Sequence, residues 1–202
     1  MKVIGITGGV GAGKSEILSY LKEHCNCRIV MADRLAEELE QPGQDCYNQL
    51  LALFGSSILQ EDGRIDRKKM AVRIFADKSL LEAVNAMIHP AVKQAILQII
   101  RDEKEAARLD YLFIEAALLI EDGYAEIVDE LWYIHTEEKV RRQRLKASRG
   151  YTDEKIDSIL REQLSEEEFY RHCHFVIENS GSLESVYEQL DKKLGEELCQ
   201  KQ

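Results

Sequence analysis

Apolar positions along the chain follow two periods. Short, nearly continuous apolar runs predict buried strands at Lys2–Thr7, Arg28–Met31, Tyr111–Ile114, Leu131–Ile134 and Phe175–Ile177. Helical spacing fills the intervals: Ile17, Leu18 and Leu21 share one side of Ser15–His24, and Leu183–Leu198 is amphipathic. Asp33 follows the second strand and precedes a short helix, Leu35–Leu39, which Gln41-Pro42-Gly43 breaks. From Asp45 to Arg108 no strand pattern occurs. Breaks fall at Phe54-Gly55-Ser56-Ser57, at Glu61-Asp62-Gly63 and at His89-Pro90, and Pro90 suits a first helical turn, so a long helix is predicted to start there. A block of about 60 residues is too long for a plain crossover and is expected to form a helical subdomain. Strands alternating with helices predict a parallel sheet covered on both faces.

The first strand runs into Gly8-Gly9-Val10-Gly11-Ala12-Gly13-Lys14-Ser15, which satisfies G-x-x-x-x-G-K-S/T with a strand before it and a helix after it. Glycines let the chain wrap an anion and turn backbone N–H groups inward. The helix opening near Gly13 adds its positive dipole end. Lys14 is expected to reach the β- and γ-phosphates of ATP, and the Ser15 hydroxyl to ligate Mg²⁺. The fold expected is therefore α/β: a P-loop three-layer fold with a five-stranded parallel sheet, a helical substrate-binding insertion and a helical lid. The core would span about 1–44, 109–136 and 172–202, the insertion about 45–108 and the lid about 137–171.

The 202 residues carry a formal net charge of -10. Phosphate neutralisation supplies most of the affinity of nucleic-acid binders, so this balance argues for no nucleic acid as partner, while a local cluster of cations still suffices for ATP. No run approaches the roughly 20 apolar residues of a membrane helix, so no membrane is expected. The odd set Cys25, Cys27, Cys46, Cys173 and Cys199, together with a start that lacks a basic region followed by a long apolar run, predicts reduced thiols and a cytoplasmic location. Cys25-x-Cys27 and His172-Cys173-His174 match no common zinc spacing.

Among P-loop classes, a switch GTPase lacks support because N-K-x-D and D-x-x-G are absent. A transporter or motor ATPase needs a longer chain and an L-S-G-G-Q signature. A small core, a helical insertion and the arginine-bearing stretch Glu137–Gln163 fit a small-molecule kinase whose lid neutralises the transferring phosphoryl group. In order along the chain stand the P-loop, Ala32-Asp33, Pro42-Gly43, Asp62-Gly63-Arg64-Ile65-Asp66-Arg67, Ile74-Phe75, Ile88-His89-Pro90, Leu118-Leu119-Ile120-Glu121, Arg144, Arg149, Gln163 and Val176-Ile177-Glu178-Asn179. Together these resemble the dephospho-CoA kinases over nearly the whole chain. His174 stands where that family often carries an aspartate.

The resemblance implies ATP-dependent phosphorylation of the ribose 3′-hydroxyl of dephospho-CoA. By matching position, Asp33 is the expected base; a strand-end carboxylate suits that role, and a helix N-cap is the alternative. Arg67 is the acceptor-side arginine or a surface ion pair. His89 is a helix-entry residue or a substrate contact, and Leu118 a substrate contact. Glu115, at the end of the third strand, is an acid near Mg²⁺ or a solvated one. Arg144 and Arg149 are lid arginines or a solvated helix face. Asn179, after the last strand, is placed to approach adenine. Competing activities are a kinase of another nucleoside or nucleotide and a nucleotide-binding regulatory P-loop protein.

Overall fold

The computed structural model describes residues 1–199. Among them the order is β1 (Lys2–Thr7), α1 (Lys14–His24), β2 (Cys27–Met31), α2 (Ala32–Leu39), α3 (Asp45–Phe54), α4 (Arg67–Ala76), α5 (Lys78–Ala106), β3 (Tyr111–Glu115), β4 (Glu130–His135), α6 (Glu138–Arg149), α7 (Asp153–Arg161), α8 (Glu166–His172), β5 (Phe175–Glu178) and α9 (Leu183–Cys199). The chain divides into two compact units, one of Met1–Ile29 with Arg108–Gln202 and the other of Val30–Ala107. The division falls inside β2, so α2 groups with the helical unit, whereas the sequence reading carried the core to residue 44.

The first unit holds a five-stranded parallel sheet in the order β2-β3-β1-β4-β5. β1 lies in the middle, with Ile6 opposite Glu115 of β3 and Trp132 of β4. The loop leaving β1 therefore emerges between the ends of two neighbours, the position where open parallel sheets hold ligands. Alternation along the strands sends Ile4, Ile6, Tyr111, Phe113, Trp132, Ile134 and Ile177 to one face. There they bury against Ile17, Leu18 and Leu21 of α1 and Val186, Leu190 and Leu194 of α9. Each such side chain contributes about 1.5–3 kcal/mol when fully buried. On the other face Tyr133 stacks on Phe169 of α8, ring centroids 4.6 Å apart. His174 accepts the Leu131 N–H on Nδ1 at 3.0 Å, which gives this ring a job at the start of β4 and β5.

Glu130 ties three elements. Its carboxylate accepts from Lys2 Nζ at 2.8 Å and Trp132 Nε1 at 2.8 Å, and lies 3.2 Å from Lys193 Nζ of α9. Burial pushes its pKa up, but the hydrogen bonds from Lys2, Trp132 and Lys193 outweigh burial and hold it at about 2 against an ordinary 4.5. A depressed carboxylate stabilises the fold fully above the unfolded value and loses that contribution as pH falls through the folded one. Glu130→Gln should therefore cost at most a few kcal/mol near neutral pH. The gap from wild type should close between about pH 4.5 and about pH 2. Denaturant melts of both proteins across that range check this; a gap independent of pH would refute it.

In the second unit α2, α3 and α4 pack on α5. The α5 helix begins at Lys78, with the Asp77 side chain accepting from Ser79 N, and runs straight through Pro90. The sequence expectation of a start at Pro90 is thus corrected. Val84, Ile88, Val92, Ile96 and Ile100 form one buried stripe at four-residue spacing on both sides of the proline. Burying that continuous stripe outweighs the roughly 3 kcal/mol that an interior proline costs. The arginine-bearing stretch Glu137–Gln163 forms two helices separated at Gly150-Tyr151-Thr152, with Thr152 capping α7 by accepting from Lys155 N. Cys25, Cys27, Cys46 and Cys173 are free thiols; the side chain of Cys199 lies outside the described residues.

Candidate active site

Residues 8–15 join β1 to α1, and their carbonyls are held partly by the loop and α1 and partly by side chains from distant elements. Gly8 O accepts from Lys14 Nζ at 2.8 Å, and Gly9 O from Ala12 N at 3.1 Å. Val10 O accepts from Arg141 Nε at 3.0 Å. Ala12 O accepts from both Thr136 Oγ1 at 3.1 Å and Asn179 Nδ2 at 2.7 Å. Gly13 O accepts from Glu16 N as α1 begins. In a planar trans peptide the carbonyl and the following N–H point opposite ways. Holding these oxygens outward therefore turns the N–H groups of Gly11, Gly13 and Lys14 toward the opposite side, where successive amides make an anion nest.

The glycines are demanded by this arrangement at two positions. Gly13 sits at φ 87°, and a Cβ there would come within 2.5 Å of Asn179 Nδ2. Gly9 lies under the Arg141 guanidinium, three atoms of which would meet a Cβ at 2.3–2.7 Å.

Lys14 is the first residue of α1, and its ammonium lies 3.6 Å from the buried Glu115 carboxylate at the end of β3. Ser15 follows in the first turn and is exposed. Arg144 of α6 donates through Nη2 to Asn179 O at 3.0 Å. Two polar atoms in this corner are buried with no partner among the described residues, Arg144 Nη1 and Asn179 Oδ1. One is a donor and the other an acceptor, and desolvation without a partner costs about 1–3 kcal/mol each. Such a pair fits a ligand edge that offers one acceptor and one donor. Arg149, the last residue of α6, is exposed, with its guanidinium 5.9 Å from the Tyr151 ring centroid, and it has no contact with the cradle. Leu118 is 40% exposed in the turn after β3, while its neighbour Leu119 is buried.

Three expected site residues belong to the second unit. Asp33 is exposed in the first turn of α2 and makes no hydrogen bond or ion pair among the described residues. The N-cap of α2 is Met31 and has no side-chain cap bond, so the capping alternative for Asp33 is removed. Arg67 opens α4 and pairs with Glu37 at 2.8 Å and Glu40 at 2.9 Å. It lies beside a cavity of about 850 Å³ whose lining includes Gln60, Asp62, Ile65, Lys68 and Lys69. His89 is half-buried within α5 rather than at a helix entry.

Sequence reasoning did not single out Arg141 or Thr136. A local signal exists: Thr136 directly follows β4 at the ligand edge of the sheet, and Arg141 lies one turn into the next helix. Arg141 is half-buried, and burial lowers its pKa while Tyr133, Glu138 and Glu166 oppose that shift.

A parallel sheet whose central strand opens into an externally tethered anion cradle, with a lysine at the helix start and arginines on the following α6, makes this chain a P-loop kinase. Comparison with known proteins narrows the class. The family model for dephospho-CoA kinase matches residues 2–185, and the chain belongs to that family. It is 35% identical over 199 residues to a dephospho-CoA kinase of Aquifex aeolicus, covering 98% of each chain. It is 34% identical over 190 residues to one of Carboxydothermus hydrogenoformans, covering 94% of this chain and 91% of the relative. The structure of the dephospho-CoA kinase from Campylobacter jejuni shares the fold, with a TM-score of 0.74 at 21% identity over 97% of both chains.

Proposed function

We propose that the chain transfers the terminal phosphoryl group of ATP to the ribose 3′-hydroxyl of dephospho-CoA, giving coenzyme A and ADP in the last step of coenzyme A synthesis. The observation that carries the reading is the cradle of residues 8–15, tethered from outside and backed by Lys14, within a chain of this family.

Lys14 binds the β- and γ-phosphates, and the nest amides take the remaining charge. Asn179 Oδ1 accepts from the adenine amino group and Arg144 Nη1 donates to a ring nitrogen, satisfying both buried atoms. Asp33 accepts the proton of the 3′-hydroxyl as that oxygen bonds to the γ-phosphorus and the bond to the bridging oxygen breaks, ADP leaving with the electron pair. Arg67, His89 and Leu118 bind dephospho-CoA, and Arg149 serves the lid. The Ser15 hydroxyl and the Glu115 carboxylate are hard oxygen donors that suit Mg²⁺, and would hold it. When bound, Mg²⁺ would supply charge neutralisation for the phosphoryl group in transfer. No described helix is long and apolar enough to cross a membrane; the cytoplasm is the proposed location.

ADP release from Mg·ATP tests this, with dephospho-CoA, AMP, CMP, adenosine or pantetheine phosphate as acceptor. Stimulation by dephospho-CoA alone, with coenzyme A as product, is expected. Stimulation by another acceptor would replace the acceptor assignment, and none at all would remove the enzymatic one.

A further inference from the structure

Two neighbouring arginines on α6 have opposite surroundings. Arg142 is neutralised by Glu138 at 2.7 Å and Asp157 at 2.5 Å, with Asp153 at 3.7 Å. Arg141 makes no ion pair among the described residues, although burial disfavours its charge. Its partners are neutral oxygens on separate segments: Nε donates to Val10 O, and Nη2 donates to Gln163 Oε1 at 2.5 Å, just past α7. The guanidinium is thus a rigid fork between the cradle and the α7–α8 connection, lying flat against Gly9.

Among the cradle carbonyls, Gly8, Gly9 and Gly13 are held by groups of the loop and α1 themselves. Val10 O alone depends on one side chain from a distant element, since Ala12 O has two such donors. The peptide following Val10 carries the Gly11 N–H, which has no acceptor among the described residues. We propose that Arg141 is a positioning residue for phosphoryl transfer: by fixing the Val10 carbonyl outward it aims the Gly11 N–H into the phosphate cradle, and Gln163 fixes Arg141. The role is directional, set by two hydrogen bonds in one plane, and it is distinct from the attraction of a positive charge for phosphate. This rests on residues 8–15 being the ATP site.

The test is equilibrium binding of ATP to the full chain without acceptor, together with the melting temperature of the free protein. Wild type must bind; if it does not, the ATP-site reading fails and this proposal falls with it. Arg141→Met should weaken ATP binding by roughly 10- to 100-fold, the range for losing hydrogen bonds from a charged donor. Arg141→Lys keeps the charge, but one ammonium does not reproduce the planar fork, so it should recover less than half of that loss in free-energy terms. Gln163→Leu, which leaves the arginine in place, should weaken binding several-fold in wild type and add nothing to Arg141→Met, as residues acting through one contact do. Gln163→Leu alone carries the test if Arg141→Met does not fold. Full recovery by lysine, additive effects of the two substitutions, or a lowered melting temperature with unchanged ATP affinity would each overturn the proposal.

Discussion

Lys14→Ala will lower kcat/KM for ATP by roughly 10²–10³-fold or more, the loss seen when one preorganised charge-stabilising donor is removed from a transition state. The ammonium sits at the start of α1 and is held by Gly8 O at 2.8 Å, so its position is set before any nucleotide arrives. No reorganisation is then needed when charge builds on the transferring phosphoryl group. The same substitution leaves the 7%-exposed Glu115 without the ammonium at 3.6 Å. A buried carboxylate that loses its cation is destabilising, so a fall in activity alone does not separate chemistry from folding. Melting curves isolate the folding part: Lys14→Ala/Glu115→Gln should recover most of the melting temperature lost by Lys14→Ala. Turnover of Lys14→Ala itself, measured at a temperature where it remains folded, then reports the chemistry. Wild-type kinetics in Lys14→Ala would sink the P-loop reading outright.

The cradle was legible in the sequence because backbone geometry imposes its glycines locally: Gly13 at φ 87° and the strand and helix on either side leave few other residue choices. The five strands were legible for a related reason, since strands of a sheet covered on both faces read as apolar runs. What holds the cradle was not. Arg141, Thr136 and Asn179 reach Val10 and Ala12 from more than 120 residues away, and no local period encodes such a contact. Arginines at 141, 142, 144 and 149 are indistinguishable by spacing. Their surroundings separate them: one bonded to the loop, one neutralised by acids, one against Asn179 and one exposed over Tyr151. Pro90 misled for the converse reason, because a local helix-start signal competed with a tertiary stripe from Val84 to Ile100 and lost.

Asp33→Asn should lower kcat by roughly 10²–10⁴-fold, the contribution of a positioned general base, with ATP affinity unchanged. The structural case for attributing such a loss to chemistry is that this carboxylate has no other employment. It is exposed, it makes no hydrogen bond or ion pair among the described residues, and Met31 rather than Asp33 occupies the N-cap of α2. Asparagine is nearly isosteric and keeps the short polar side chain in the first helical turn. The stability lost is then limited to the interaction of a first-turn carboxylate with the helix dipole, about 0.3–1 kcal/mol. A group that acts only as proton acceptor in the transition state affects kcat and kcat/KM equally, since substrate binding does not use its basicity. The measurement is therefore a full kinetic analysis against both substrates, paired with ATP binding and a melting curve. A kcat within a few-fold of wild type would remove Asp33 from the mechanism. A large rise in KM for the acceptor at unchanged kcat would instead make it a binding residue for the ribose.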